Sequence, residues 1–481
     1  MSSVRIAIVG GGGYVGQALS VALASKGYKL LIVDFAECPK VISEIDGDVT
    51  YEQASIVHGQ QIRLLFGDFK PTLVVHLASM GMSGSAMFNP ECHHVNVQGT
   101  ASLINICLEQ NIPNLIYTSS YNVVFGGQEI VNGDESLPYY PLDQHIDKYG
   151  PTKAMAEELV MKANGTPMRN KEQLRTASIR PAAIYGDNEQ RHLPRIVKHI
   201  DNGMFLCTIG KATVDWVEIT NLVQAFELLA DKMLALENAR SIPAGQVYSI
   251  SDGNPVENFE FFRPLVKARG RKFPTLVMPP FVMLCVAYFF ERVWFHSNVL
   301  EVPIEPFLVR PEVLKVAVTH YFSIDKARRE LGYNPKVTTA QGAENLAKRY
   351  GASLNNDDFF ELPALAWWVG VIGGMILTYI VAYSRPDGIL MKTAFIQAVN
   401  SLAMTIFRST TNMRWLFWSA VGAHAVEAAF AVYYARKHGC TNTWLSWGLQ
   451  TLILGYPSQQ CLYRRTALLE KLRLQNTKKN D

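Results

Sequence analysis

A doubly wound α/β domain on a parallel sheet, with a small substrate lobe and then a C-terminal α-helical transmembrane region, is the fold the sequence predicts. Three observations predict it. Over residues 1–160, short apolar runs alternate with helix-patterned segments, and that alternation builds a parallel sheet covered by helices on both faces. The first apolar run opens into a glycine-rich loop, Gly10 to Gly16, directly before a helical pattern. Past about residue 355 the character changes. ALAWWVGVIGGMILTYIVAY, residues 364–383, carries no charge in twenty residues and is the strongest membrane-spanning signal in the chain.

The elements follow in order. RIAIVG reads as the first strand, YVGQALSVALASKG as a helix ended by Gly27, and KLLIVD as the second strand. GDV at 47–49 is expected to follow the third strand, HLAS at 76–79 to end the fourth, YTSS at 117–120 the fifth and RPAAIYG at 180–186 the sixth. Residues 180–350 are more irregular and richer in Pro. They read as the rest of the domain plus the substrate lobe, roughly 186–215 and 245–320. Within it MPPFVMLCVAYFF, 278–290, is an apolar run of 13, too short to span a bilayer and suited to a buried or interfacial helix. The acidic linker NNDDFFELP separates a first region, 1–355, from a second, 356–481, with candidate spans at 364–383, 389–407, 415–435 and 443–457.

Composition narrows the partners. Of 481 residues 48% are apolar and only 18% charged, a low charge fraction for a soluble protein, and the net charge of +3 is too balanced to imply nucleic acid as the main partner, so none is expected. The seven Cys show no zinc-ligand spacing, and an odd, scattered set fits reduced thiols facing the cytosol. The N-terminus enters the first strand almost at once, so no cleaved leader is expected. Arg408, Arg414 and the basic tail (Arg464, Arg465, Lys471, Arg473, Lys478, Lys479) place the N-terminal domain on the cytosolic side by the positive-inside rule, although Arg436 and Lys437 pull the other way. His424 and Glu427, polar groups within an apolar segment, are costly in lipid and are expected to face one another or neighbouring helices.

Chemistry enters with Tyr149 and Lys153, four apart in HIDKYGPTKAMAEELV and so on one helix face. The spacing alone is weak: about one such pair arises by chance, and Tyr433 and Lys437 repeat it at the end of an apolar segment, where an aromatic and a cation are interface anchors. The glycine loop is the stronger signal. Gly10, Gly13 and Gly16, with Tyr14 and Val15 between the last two, form GxxGxxG at a helix start. Glycine permits the tight turn and the close approach of a pyrophosphate, which the helix N-terminus attracts, as in Rossmann-type domains. Asp34 ends the second strand, where a carboxylate accepts hydrogen bonds from the ribose hydroxyls of NAD and repels the 2′-phosphate of NADP. Phe35 after it offers that phosphate no charge.

The ordered set GxxGxxG, GDV, HLA, N-V-x-G-T, TSS, YxxxK and RPxxIYG resembles the extended short-chain dehydrogenases/reductases. SSYNVVFGGQEIVNGDESLPY, EQRHLPRIV, ISDGNPVENFEFFRPLV and HYFSIDKARRELGY resemble the 3β-hydroxysteroid dehydrogenase branch, especially its membrane-associated 42E-type members, over roughly residues 4–350. The resemblance implies NAD as cofactor and Tyr149 as the general acid/base. It implies that Lys153 lowers the tyrosine pKa toward neutrality, a shift of about three units from near 10, and holds the nicotinamide ribose. Ser120, with Ser119 as the alternative, would hydrogen-bond the substrate oxygen. Asp48 and Val49 match adenine contacts, Ala78 lies along the cofactor, Pro181 and Ile184 match positions beside the nicotinamide, and Asn96 orders backbone.

A membrane-anchored alcohol dehydrogenase with an apolar lobe suggests a lipophilic alcohol, which the resemblance makes a 3β-hydroxysteroid or sterol, with membrane lipid as a partner and a homodimer as the usual assembly. The expected location is a membrane, the endoplasmic reticulum, with several passes. Three alternatives stand beside it: a decarboxylating sterol 4-carboxylate 3-dehydrogenase with Arg191 or Arg195 as the carboxylate's cation, a nucleotide-sugar epimerase or dehydratase, and a membrane scaffold with a vestigial cofactor site. No metal-ligand cluster is present in the sequence.

Overall fold

A computed structural model of the protein describes residues 4–190, 192–201, 205–235, 243–299, 306–351, 362–363, 365–384, 388, 390–440 and 443–467. Arg191, Lys471, Arg473, Lys478 and Lys479 lie outside the described residues. The chain divides into two compact units. The first comprises 1–193, 207–264 and 275–349; the second comprises 194–206, 265–274 and 350–481.

The first unit is organised by seven parallel strands: β1 (Arg5–Val9), β2 (Lys29–Asp34), β3 (Val49–Gln53), β4 (Leu73–His76), β5 (Asn114–Thr118), β6 (Arg175–Pro181) and β7 (Gln246–Ile250). Their order across the sheet is β7-β6-β5-β4-β1-β2-β3. Alternation along each strand splits the core in two. Ile6, Ile8, Leu30, Ile32 and Val75 pack beneath α1 (Tyr14–Ser25) and α5 (Ile219–Leu234). Ala7, Val9, Leu31, Val33 and Val74 pack on the other face with α2 (Gly59–Phe69), α3 (Gly99–Gln110) and α4 (Tyr149–Ala163). Both faces are covered, so the inner strands read as continuous apolar runs.

The register places Val9, Asp34, Gln53, His76, Thr118, Pro181 and Ile250 at one edge of the sheet. The strand order reverses between β1 and β4, and a doubly wound sheet binds its ligand in the crevice beyond such a switch point. The same register corrects one sequence expectation. GDV does not follow the third strand but opens it: Val49 pairs with Leu30 near the start of β2, and Asp48 forms an ion pair with Lys29 at 3.1 Å. Asp48 and Val49 therefore sit at the opposite edge from Asp34, about 17 and 13 Å away along β2, and do not line the crevice.

The apolar run at 278–290 lies within a 20-residue helix, α6 (Pro280–Val299). Ala287 and Glu291 on it are buried, whereas Phe281, Tyr288, Phe289, Val293 and Phe295 are exposed. The short helix α7 (Arg310–Ala317) follows, its Arg310 guanidinium bound to Glu291 at 2.7 Å.

The second unit carries α8 (Leu365–Tyr383), α9 (Ala394–Phe407), α10 (Thr410–Lys437) and α11 (Trp444–Leu454). Only α8 and α10 are long and apolar enough to cross a membrane among the described residues. At 14 and 11 residues, α9 and α11 reach about 21 and 17 Å, short of a hydrocarbon core about 30 Å thick. Helices α10 and α11 approach closely at Gly448, where an added Cβ would lie 2.5 Å from Val432 Cγ2. His424 faces α11, its Nδ1 3.2 Å from the Leu452 carbonyl. Tyr433 is exposed near the end of α10, in keeping with an interface anchor.

Candidate active site

The glycine loop sits in the β1/β4 crevice. Gly10, at φ +84, packs so tightly on the chain after β4 that an added Cβ would lie 2.4 Å from the Ala78 nitrogen. Gly16 is equally constrained: its Cβ would lie 2.4 Å from Gly11 Cα. Gly13 caps α1 in an extended conformation, with no side chain bonded to the helix start and no acidic residue in the first turn. The first-turn N–H groups, including those of Tyr14 and Val15, thus present a positive end that no capping side chain occupies. A diphosphate fits this cradle.

Asp34 stands beside it. Its Oδ2 accepts from the Gly12 N–H at 3.0 Å and its Oδ1 from the Ala36 N–H at 3.1 Å. Each carboxylate oxygen retains a lone pair for a ribose hydroxyl. Next to Asp34, Phe35 is 76% exposed. Gln53 and the following Ala54 and Ser55 lie at the β3 end of this edge, and the Ala54 N–H donates to the Asp34 carbonyl. These are the positions that take the place expected of Asp48 and Val49. The signal that would have found them is the strand itself, VTYEQ, a polar edge strand with an aromatic and β-branched residues but no apolar run.

The Tyr149–Lys153 pair lies two strands along. Tyr149 opens α4 and Lys153 follows one turn later. Both are buried, at 5% and 1% exposure, although one is phenolic and the other cationic. Asp147 fixes the helix start by accepting from the Gly150 N–H at 2.7 Å. The Lys153 ammonium donates to the Thr118 carbonyl at 2.5 Å and lies 4.2 Å from the centre of the Tyr117 ring. Burial pushes Lys153 down to about 7, against the pull of Glu157 one turn on. Glu157 is itself held by Arg180 (Nη2–Oε1, 2.5 Å), by Ser178 at 2.9 Å and by Tyr139 at 3.0 Å. Burial opposes the ionisation of Glu157, but the Arg180 guanidinium and these hydrogen bonds outweigh it and hold the carboxyl below its usual range.

The two serines separate by their partners. Ser120 Oγ accepts from Asn122 Nδ2 at 2.8 Å and from the Asn122 N–H at 3.3 Å. Both lone pairs are engaged, which leaves its O–H proton to donate outward. Ser119 is more deeply buried, and among the described residues its Oγ has no hydrogen-bond partner. Asn96 lies in a π-type widening of the helix at His94–Gln98. Its Oδ1 accepts from the Met80 N–H at 2.8 Å, and its Nδ2 donates to the Met80 carbonyl and the Thr152 hydroxyl, both at 3.0 Å. It orders backbone beside the site. Pro181 ends β6 and Ile184 lies in the short strand Ala183–Tyr185 beyond it. Burial drives His76 down to about 3, with Lys153 adding to the effect, so it is neutral.

Comparisons with known proteins show the family and the fold. The family model described as "3-beta hydroxysteroid dehydrogenase/isomerase family" matches residues 7–279, and "Transmembrane protein 254" matches residues 366–464. Short-chain dehydrogenase/reductase family 42E member 1 of Macaca fascicularis is 45% identical over 350 residues, covering 72% of this chain and 88% of that protein. A 3-beta-hydroxysteroid dehydrogenase of Mycolicibacterium neoaurum is 31% identical over 347 residues, 70% of this chain and 88% of that one. Among solved structures, a UDP-glucose 4-epimerase of Thermus thermophilus in complex with NAD superposes with a TM-score of 0.54 at 18% identity, covering 72% of this chain and 99% of its own, a likeness of fold.

Proposed function

The chain belongs to the 3-beta hydroxysteroid dehydrogenase/isomerase family and is an NAD-dependent oxidoreductase, and from that premise we propose that it oxidises the 3β-hydroxyl of a steroid, sterol or similar lipophilic alcohol at a membrane. The observation that carries the reading is the polarity of Ser120. Its accepting capacity is spent on Asn122, so it offers a proton to a substrate oxygen at the same sheet edge as Tyr149, Lys153 and the glycine loop.

In this reading the loop Gly10–Gly16 cradles the pyrophosphate, Asp34 holds the adenosine ribose, Ala78, Pro181 and Ile184 flank the cofactor, and Lys153 reaches the nicotinamide ribose. NAD held by these residues would supply the acceptor for the hydride of the carbinol carbon. Tyr149 as phenolate takes the hydroxyl proton, and Ser120 donates a hydrogen bond to the substrate oxygen as it becomes a carbonyl. Lys153, pushed down to about 7 by burial against the pull of Glu157, is partly charged at neutral pH and lowers the energy of the phenolate. Residues 186–215 and 245–320 serve as the substrate lobe of a catalytic region 1–355, and 356–481 as its membrane anchor.

The lipophilic substrate is supported by α6, whose Phe281, Tyr288, Phe289, Val293 and Phe295 are exposed. A helix with an exposed aromatic face and Arg292 and His296 toward its end suits the headgroup boundary of a bilayer. Arg408, Arg414, Arg464 and Arg465 favour a cytosolic catalytic region, with the endoplasmic reticulum as the membrane and a homodimer as the assembly. The test uses membranes containing the full-length protein, NAD and a pool of 3β-hydroxysterols, with NADH and 3-oxo products as the readout. Turnover should appear and fall by a factor of about 10² or more in Tyr149→Phe. Turnover that survives Tyr149→Phe would remove Tyr149 from the chemistry. NAD binding without turnover of any sterol in the pool would favour another lipid alcohol or a scaffold.

A further inference from the structure

Tyr149 has a second cationic neighbour. Lys315, on α7, places its Nζ 5.9 Å from the centre of the Tyr149 ring, although 166 positions separate them in the chain. The helix that carries it is well seated: Val309 and Val313 are fully buried, and Pro311 opens its first turn. Glu312, three residues before Lys315 and on the same side of the helix, accepts from the Gly84 N–H at 3.2 Å and so ties α7 to the loop after β4. Lys315 is partly buried, and among the described residues it forms no hydrogen bond or ion pair.

We propose that Lys315 is a positioning residue for the reaction: a second ammonium, brought in from α7, that with Lys153 favours the phenolate form of Tyr149. The proposal rests on the reading of Tyr149 as the acid–base group. Two cations are physically reasonable here because each is weakened alone. Burial drives Lys153 down to about 7, so at neutral pH it supplies a fraction of a charge. Burial also lowers Lys315, but Asp147 and Glu312 oppose that and sustain its charge without neutralising it in an ion pair.

Several elements bring titratable or charged groups to the surroundings of the phenol. Lys153 and Asp147 come from α4 and its start, Tyr117 from β5, and Tyr121 from the turn after Ser120. Glu312 and Lys315 come from α7, and His145 from the loop before α4. Cys92 approaches the same place, since a Cβ built on Gly81 would meet both its sulfur and the Tyr149 Cβ. Burial raises the thiol, and Asp147 adds to that, so it stays neutral. Burial pushes Tyr117 and Tyr121 upward, and the neighbourhood of Tyr149 adds to that, so they stay protonated. Burial likewise lowers His145, so it adds no charge near neutrality. The lysines are then the cations left to stabilise the phenolate.

The experiment titrates tyrosine ionisation by ultraviolet absorbance in the detergent-solubilised full-length protein with NAD present. Subtracting the Tyr149→Phe spectrum isolates Tyr149. In the wild type it should ionise well below the ordinary tyrosine range. Lys315→Met should raise its pKa by about one unit, a tenfold loss of phenolate at any pH below it, and Lys315→Arg should restore most of the shift. Lys315→Gln, checked for unchanged quenching of tryptophan fluorescence by NAD, guards against misfolding of the Met variant. An equal Tyr149 pKa in the wild type and in Lys315→Met or Lys315→Gln would overturn the proposal and leave the dehydrogenase reading intact. Sterol turnover that persists in Tyr149→Phe would overturn both.

Discussion

Asp34 does two jobs with one carboxylate. It fixes the glycine turn by accepting from Gly12 and Ala36, and it presents negative charge where a ribose would lie. Asp34→Ala removes both functions and Asp34→Asn removes the charge while keeping an acceptor oxygen. Hydrogen bonds to a charged group contribute about 1.5–3 kcal/mol, so Asp34→Ala should weaken NAD binding by roughly tenfold to a hundredfold. Asp34→Asn should lose less for NAD and gain for NADP, because the repulsion of the 2′-phosphate is gone. Fluorescence titrations of the full-length variants with each dinucleotide measure the two effects. No gain for NADP in Asp34→Asn would show that the carboxylate's charge does not set the preference.

The same economy appears in α4, where Tyr149, Lys153 and Glu157 fall one turn apart along one side. Glu157 anchors the row through Arg180, and both are almost wholly buried. Removing one partner of a buried pair strands the other, so Glu157→Gln should cost about 3–5 kcal/mol of stability. The sign of the pH dependence follows. The folded-state pKa of Glu157 lies below its unfolded value, so this stabilisation is full above the ordinary carboxylate pKa near 4.3 and is lost as pH falls through the depressed value. Thermal melts between pH 7 and 3 should therefore converge for wild type and Glu157→Gln; curves that stay parallel would reject the pair as the source. This pair was invisible in the sequence because Glu157 and Arg180 meet only through the β6–α4 packing. What the sequence did expose were elements with strong local signals. The inner strands β1, β2, β4 and β5 are apolar runs because helices cover both faces, and the glycine loop is short-range chemistry. The edge strand β3 is half exposed along its length, so it lacks that signal, and the placement of GDV went to the wrong end of it. Lys315 was equally illegible, since nothing local links α7 to α4. Helix α6 was legible as apolar and as either buried or interfacial, and the exposed aromatics favour the second reading. Its aromatic face predicts that replacing Phe281 and Phe289 together with Ser raises KM for sterol presented in vesicles several-fold while kcat and NAD affinity hold; an unchanged KM would make the face irrelevant to substrate entry.

At the scale of the whole molecule the question is what the second unit requires of its surroundings. Along α8, Trp367, Val369, Ile372, Ile376 and Tyr379 are exposed, and along α10 so are Trp415, Trp418, Val426, Phe430 and Tyr433. In water each such side chain would forgo about 1.5–3 kcal/mol of burial, a penalty that two helices of this composition recover in hydrocarbon. Polar contacts join the pair at one end: Arg414 Nε donates to the Ala382 carbonyl at 3.0 Å and Trp418 Nε1 to the Tyr383 hydroxyl at 2.8 Å. That arrangement suits a cation and two aromatics at an interface, with the apolar stretches of α8 and α10 beyond them. The full-length protein should therefore stay with the membrane pellet through alkaline carbonate extraction. Ile376→Arg puts a charge on an exposed face well inside α8 and should cost about 2.5–3.5 kcal/mol of insertion, enough to shift a measurable fraction to the supernatant or to degradation. A conservative Ile376→Leu control should behave as wild type. If both wild type and control wash off in carbonate, the second unit does not span the bilayer, and the exposed apolar faces of α8 and α10 must be covered by protein instead.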